Sequence, residues 1–494
     1  MDGVALLLTD VIACAAAGSP RAQAVTLGDE ALTFADVQAR ANRTANALAG
    51  LGVGRGDRVA WWSDIDLRGV DLYVGIGRLG AAFAPLNPAF RPDEAAPIVD
   101  YLRPRLLVVD VAHAEAAAAF GVPLAVTGWE RGPCPGLDLD AASASASPAD
   151  PAVALPDEED IAAIFLTSGS TGRPKGVMIS QRATWLRTHA GAAAHQTSRG
   201  KGETVMFPLF HMAGWNFSAM AWSAHRAAHL VHRAEGDELL ATVARHRAGT
   251  IYCIPAVWRR ILDAPGAFDV SSVEWALTGT SQVGIDLLAE IKARFPGART
   301  TVNYGSTETA RAVALADEDL FRKPGRVGVP IPGVQARIDD GELLLATDRV
   351  MSGYFDLPEE TAAVLKEGWY CTGDLAELDD EGFVSIVGRR REVVRTGGET
   401  VAPAEVEAVI ATHPGVADAA VIGLPDEQWG ELVCAVVVVR AGSDPPTVAE
   451  LRSHIGTRLA PFKHPRRVVT VERLPRTAAT GQIQRSALQK AIRT

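Results

Sequence analysis

Apolar residues in the stretch LTFADVQARANRTANALAGLG recur at steps of three and four: Phe34, Val37, Ala41, Ala45 and Leu48. That spacing predicts an amphipathic helix, with Thr33 as N-cap and Gly50 and Gly52 as stop signals. Other segments have a different texture. RVAWW, LLVVDV, IAAIFL, TIYCI and VEWAL are short, nearly unbroken apolar runs separated by helical patterns. Runs of this kind suit strands covered on both faces, and their alternation with helices predicts an α/β architecture.

The pattern changes after GRRRE (388–392). It then reads helix (PAEVEAVIATH), strand (DAAVIGL), strand (LVCAVVVV), helix (TVAELRSHIGTRL) and strand (RRVVTV). About a hundred residues with their own strands and helices can fold as a separate domain. The expected division is a large N-terminal domain of several subdomains over 1–389, its buried sheets sandwiched by helices, and a small mobile α+β domain over 390–494. The Ser/Ala/Pro-rich stretch at 141–151 is expected to be a surface connection within the first domain.

Composition narrows the function classes. The chain has 494 residues, room for about three domain-sized units, and a net charge of −11. That charge argues against a generic nucleic-acid or anionic-membrane surface, since both require a basic excess. The five cysteines are scattered, without metal-ligand spacing, and are expected to be small buried thiols in a reducing compartment. VALLLTDVIACAAAG near the N-terminus lacks a basic leader and is interrupted by Asp10, which suits a buried helix better than a signal peptide. No apolar run reaches the ~20 residues of a membrane span. A cytoplasmic protein is expected, its oligomeric state open. The histidines of TWLRTHAGAAAH and SAHRAAHLVH are expected to be solvated helix residues.

The chemistry starts at TSGSTGRPKG (167–176), directly after the apolar run IAAIFL. Small residues let main-chain N–H groups approach a ligand, hydroxyls add donors and Lys175 adds charge, an arrangement suited to a polyphosphate. It is not a Walker A loop, because Pro174 stands where that motif needs Gly. The loop resembles the signature of the adenylate-forming superfamily: acyl- and aryl-CoA synthetases, luciferases and peptide-synthetase adenylation domains. PLFHMAGWN (208–216), NYGSTET (303–309), WYCTGDL (369–375) and GRRREVVRTGGETVAPAEVEAVI (388–410) are similar to later motifs of that family, in its order. The resemblance spans nearly the whole chain and lies nearest the acyl- or aryl-CoA ligase branch.

This resemblance implies that a small acid, acyl or aryl, is joined to ATP with release of pyrophosphate and then passed to CoA. It places Thr167, Ser168, Gly169, Ser170, Thr171, Gly172 and Lys175 around the phosphates. Glu308 becomes the Mg²⁺ ligand, a hard oxygen donor of the kind that ion prefers, and Thr307 a contact of the α-phosphate. Gly279, Thr280, Ser281, Asn303, Tyr304, Gly305 and Ser306 would line the adenine and AMP site, with Tyr304 stacking on the base. Asp374 would accept the ribose hydroxyls, and Arg389 would make a second ribose or phosphate contact. Arg391 falls at the family's hinge, where many relatives carry Asp or Lys. His211, Trp215, Asn216, Gly279 and Arg311 would form the acid pocket. Gly397, Gly398 and Trp429 would line the CoA channel. A diffusible thiol is expected as acceptor, since no carrier domain is recognised.

One letter departs from the pattern. In the loop LPRTAATGQIQR (474–485) the family's catalytic Lys, which bridges the carboxylate and the α-phosphate, is replaced by Gln482. The catalytic set is then Gln482, His211, Thr307 and Glu308. Losing a preorganised donor of this kind costs ~10²–10³ in rate. Four readings follow. A neighbouring cation (Arg485, Lys490 or Arg311) substitutes. The enzyme adenylates a different oxyanion, such as nitrite for diazotisation of an arylamine, with Arg311 holding the amine's carboxylate. Preformed adenylate is delivered. Or the protein is a catalytically impaired nucleotide binder.

Overall fold

In the computed structural model, the described residues are 5–130, 132–167, 174–195, 197–198, 200–397, 399–426, 428–477 and 481–493. The chain is α/β and divides into two compact units. The first comprises Met1–Arg322, Pro330–Val334 and Ala346–Trp369; the second comprises Lys323–Val329, Gln335–Leu345 and Tyr370–Thr494. The expected boundary at 389/390 runs between two sheets of the second unit.

The helix expected from the opening period is Phe34–Gly50, and all five residues of its apolar face are fully buried. Thr33 closes a reciprocal capping box with Asp36, each side chain bonding the other's backbone N–H. The helix Leu8–Gly18 likewise buries Leu8, Val11, Ile12 and Ala15. The stretch expected as a connection is helical over its first half, Leu139–Ser145. Asp138 caps it through Ala141 N–H at 2.9 Å, and alanine favours the helix. Asn42 and Asn46 of the opening helix bond the carbonyls of Pro148, Ser147 and Ala149 beyond it.

The first unit holds two sheets. One runs in space through Ala310–Leu315, Arg299–Ser306, Trp275–Gly279, Thr250–Tyr252, Glu203–Val205, Ala228–Leu230, Gln23–Leu27 and Glu30–Thr33. Its centre is parallel, and the pairings at Arg299–Ser306/Ala310–Leu315 and Gln23–Leu27/Glu30–Thr33 are antiparallel. The other runs Gly353–Tyr354, Lys175–Ser180, Ile161–Thr167, Ala82–Pro85, Arg58–Trp62, Leu106–Asp110, Leu124–Thr127 and Leu137–Asp138. Helices lie between the sheets. Trp215, on the helix Met212–Ser223, stacks on Tyr73 of the helix Arg68–Arg78 (4.2 Å) and meets Phe83 of the second sheet edge-on (5.3 Å).

The second unit contains one sheet built from Gln335–Asp339, Glu342–Ala346, Trp369–Leu378 and Val384–Arg389. Its other sheet runs Glu399–Val401, Val394–Thr396, Gly430–Val439 and Val416–Asp426, with Arg467–Thr470 parallel to Gly430–Val439. Val406, Ile410, Leu451 and Ile455, from the helices Pro403–Ile410 and Val448–Ile455, complete its core.

Some expectations fail. His195 and His229 are buried, at 2% and 3% exposure. His229 shares a 3.0 Å hydrogen bond with Thr26 and stacks on His246, so sheet packing claims it. Of the cysteines, Cys253 and Cys434 are buried but Cys14 is exposed. Among the described residues no helix is long and apolar enough to cross a membrane.

Candidate active site

Ser168, Gly169, Ser170, Thr171 and Gly172 of the expected phosphate loop lie outside the described residues, but both of the loop's anchors are described. Thr167 ends one strand and stands opposite Lys175, which begins the next, and the Thr167 hydroxyl donates to the Lys175 carbonyl at 3.4 Å. The two-residue strand Gly353–Tyr354 pairs with Met178 and Val177 on the far side of Lys175–Ser180. This places the Tyr354 ring beneath the Lys175 ammonium, 4.8 Å from the ring centroid, a cation–π contact.

The same tyrosine reaches the expected metal ligand. Its hydroxyl donates to Glu308 Oε1 at 3.0 Å. Glu308 and Thr307 occupy the turn between the antiparallel strands Arg299–Ser306 and Ala310–Leu315. The turn is tight: Thr309 N–H bonds Ser306 Oγ at 3.3 Å, and Ala310 adopts φ +56°. Gly305 is required here, because a Cβ would come 2.0 Å from the Ala310 carbonyl oxygen.

Arg187, on the helix Gln181–Ala194, fixes this turn from below. Its guanidinium donates to the carbonyls of Thr307 (3.0 Å), Glu308 (2.8 Å) and Arg349 (2.8 Å). Met351 N–H also bonds the Glu308 carbonyl, at 2.7 Å. Burial pulls the Arg187 pKa down to about 9, and nearby Glu308 opposes that shift. Neither Arg187 nor Tyr354 was singled out by the sequence reading. Arg187 looks like one more cation in a helix, and Tyr354 is far from its partners along the chain. The local signals offered only a cation on a helix face and a Tyr after Gly353.

The stretch expected to line adenine is backbone under constraint. A Cβ on Gly279 would come 2.0 Å from the Asn303 oxygen and 2.6 Å from the Tyr252 hydroxyl. Thr280 sits in the left-handed region at φ +67°, a conformation glycine accepts freely and threonine does not. Asn303 is buried and bonds Thr301, Tyr304 is half-buried, and Ser281 is exposed.

His211 caps the helix Met212–Ser223, its Nδ1 accepting from Ala213 N–H at 3.2 Å. Burial lowers its pKa to about 4, so the ring is neutral with its proton on Nε2. Phe207 stacks on it at 5.7 Å. Trp215 lies on the same helix. It is 1% exposed and packs between the sheets, with its indole N–H donating to the Leu209 carbonyl, and so backs the wall that holds His211. Asn216 is half-buried and contacts the Met220 sulfur. Arg311 follows the Glu308 turn, in register with Gly305. Its Nε and Nη1 are enclosed with no hydrogen-bond partner.

In the second unit, Asp374 and Arg389 face each other across antiparallel strands, with Nε 2.9 Å from Oδ1. Asp374 is 6% exposed and its N–H bonds Thr372 Oγ1. Arg391 is exposed in the turn linking the unit's two sheets. Gly397, at φ +60°, bonds the Trp429 carbonyl at 2.8 Å, and the Arg466 guanidinium lies 3.9 Å from the Trp429 ring. Gly398 lies outside the described residues. Gln482 is held by its backbone: its N–H bonds Thr477 Oγ1 at 3.0 Å and its carbonyl accepts from Thr477 N–H at 2.8 Å. Arg485, one of the cations considered as a substitute, is ion-paired to Glu392 (2.6 Å) and Glu407 (2.7 Å).

A phosphate-strand lysine, a tethered carboxylate and a strained Gly–Thr step therefore occur together in one unit. Residues 12–355 match the family model described as AMP-binding enzyme, and residues 405–480 match AMP-binding enzyme C-terminal domain. The chain belongs to the AMP-binding enzyme family. This AMP-binding enzyme is 33% identical over 488 residues to a feruloyl-CoA synthase from Amycolatopsis sp., covering 96% of each chain. Its fold is similar to the crystal structure of ATP-bound MatB from Rhodopseudomonas palustris, with TM-score 0.89, 29% identity and 98% of each chain covered. It is also similar to o-succinylbenzoate CoA synthetase (MenE) from Bacillus subtilis in complex with its acyl-adenylate intermediate, with TM-score 0.86, 26% identity and 97% of each chain covered.

Proposed function

We propose that this enzyme uses ATP to activate a small organic acid as its adenylate, releasing pyrophosphate, and then transfers the acyl group to CoA. The observation that carries the reading is the line Lys175–Tyr354–Glu308–Arg187, which joins a phosphate-strand cation to a carboxylate held at a fixed turn. The relatives support it: one is named for forming feruloyl-CoA, and MenE was captured with an acyl-adenylate.

Magnesium fits the residues present. Mg²⁺ typically takes one or two carboxylates and completes its shell with phosphate and water. Glu308 offers a hard oxygen, since Tyr354 occupies only Oε1. When bound, the ion would draw charge from the phosphates. The chain's own residues do the rest. Lys175 holds phosphate, Thr307 donates to the α-phosphate, and Asp374 accepts the ribose hydroxyls with Arg389 orienting its carboxylate. His211, neutral and capped in place, borders the acid. Gln482 contributes a neutral donor to the carboxylate–phosphate contact, Gly397 and Trp429 line the path of CoA, and the turn at Arg391 is the hinge between half-reactions.

The test is a pyrophosphate-release screen across acids with ATP and Mg²⁺, with and without CoA, and with a nitrite-plus-arylamine arm motivated by Gln482. Acid-dependent release with CoA consumption supports the proposal. Release that needs nitrite and ignores CoA, or no release in any arm, refutes it.

A further inference from the structure

Arg311 is the one guanidinium among the described residues with two enclosed, unpartnered nitrogens, Nε and Nη1. Arginine is costly to bury without an acceptor, because the charge loses water and gains nothing in return. Its neighbours offer no compensation. The charged and titratable groups that act on it or on which it acts are Tyr252, Arg349 and His195. Arg349 is a second cation and His195 is an enclosed ring held neutral. By contrast, Arg187 spends its donors on three carbonyls, and Arg349 donates to Thr347 and the Pro332 carbonyl. Arg311 alone of the three is left unsatisfied.

Its position says what could satisfy it. Arg311 pairs with Gly305 on the strand leaving the Glu308 turn, and its charge acts on Tyr252. The Tyr252 ring packs against Phe217 (4.9 Å) and Phe207 (5.4 Å), and Phe207 stacks on His211. An aromatic wall thus runs from the neutral His211 to an unpaired cation. We infer that the acid substrate carries a second carboxylate at its distal end, which the Arg311 guanidinium receives while the apolar middle lies along Phe217 and Tyr252, with the buried Phe207 behind them. A planar guanidinium matches a carboxylate in shape as well as charge. The inference rests on the adenylation reading and names its substrate class.

The test compares matched acid pairs that differ only at the distal end, a carboxylate against a methyl group, on benzene, cinnamoyl and short saturated frames. ATP–pyrophosphate exchange is measured for wild type, Arg311→Met and Arg311→Lys. Calorimetric binding of the same acids is measured in parallel, and ATP-induced thermal stabilisation confirms that each variant is folded. Wild type should favour the dicarboxylate of at least one frame by ~10²-fold or more in kcat/KM. Arg311→Met should reverse that preference, and Arg311→Lys should keep part of it. The inference is overturned if wild type prefers the methyl member in every frame, or if Arg311→Met leaves the preference unchanged. If no acid supports exchange, the adenylation reading fails, and the binding data still decide the inference: dicarboxylate binding lost in Arg311→Met supports it, and equal binding by both proteins overturns it.

Discussion

Tyr354→Phe removes a single oxygen from the middle of the proposed catalytic line. Phenylalanine keeps the ring, and with it the packing of a residue 7% exposed and the cation–π contact to Lys175. What disappears is the 3.0 Å bond to Glu308 Oε1. A hydrogen bond to a charged acceptor contributes about 1.5–3 kcal/mol in a buried setting. The half-buried Glu308 keeps some access to water, which argues for the lower end. Near 1.5 kcal/mol, the transition-state loss corresponds to ~10-fold in rate. The assay is ATP–pyrophosphate exchange under magnesium titration. The variant should lose ~10-fold in kcat/KM and need more magnesium for half-maximal rate, with a melting temperature within a few degrees of wild type. A double-mutant cycle makes the test sharper, because in a Glu308→Gln background Tyr354→Phe should cost much less. A single variant within twofold of wild type, or equal costs in the two backgrounds, would refute the claim that Tyr354 acts through Glu308.

Three further predictions follow from the same geometry. Arg187→Met strands the carbonyls of Thr307, Glu308 and Arg349, so it should lower the melting temperature and exchange activity together; a stable variant lacking only activity would show that Arg187 touches substrate directly. Gln482→Lys should raise exchange with the enzyme's own carboxylic acid by ~10² while leaving transfer from preformed adenylate to CoA nearly unchanged; absence of any gain would show that another group already fills the role. Glu203 is fully buried with Oε2 unpaired, and burial raises its pKa to about 8. The folded state therefore holds a proton that the unfolded state releases near 4.5, so stability should fall as pH rises from about 4.5 to about 8. Glu203→Gln should flatten that decline, shifting the variant-minus-wild-type difference by ~4 kcal/mol between its ends in denaturant titrations; parallel curves would refute the assignment.

Much of this was legible from the residues alone. The period of Phe34, Val37, Ala41, Ala45 and Leu48 specified both a helix and its buried face, because helical geometry converts spacing into direction. The short apolar runs became strands for a similar reason. Motif order singled out Lys175, Glu308 and Gln482, on loops or at a strand end, and Asp374, within the strand Trp369–Leu378. What could not be read was long-range pairing. No local pattern shows that Gly353–Tyr354 docks beside Lys175–Ser180, or that a helix arginine reaches the Glu308 turn. The burial of His229 could not be read because amphipathic residue types do not reveal which of two layers encloses them. Arg485 looked available because its acceptors, Glu392 and Glu407, meet it only once the second unit has folded.

The short strand Gly353–Tyr354 also bears on synthesis. It completes one edge of a sheet whose other strands all come from the first 180 residues, and it does so from far downstream. On the ribosome, Lys175–Ser180 must wait with one edge open while most of the unit's other sheet, from Glu203–Val205 to Ala310–Leu315, is made. Pairings so distant in sequence form slowly, and an open strand edge is a hazard for association with other chains. The contact that steadies Glu308 is thus among the last the nascent unit can make, and a chain stalled before residue 353 would carry the lysine and the carboxylate without the tyrosine that joins them.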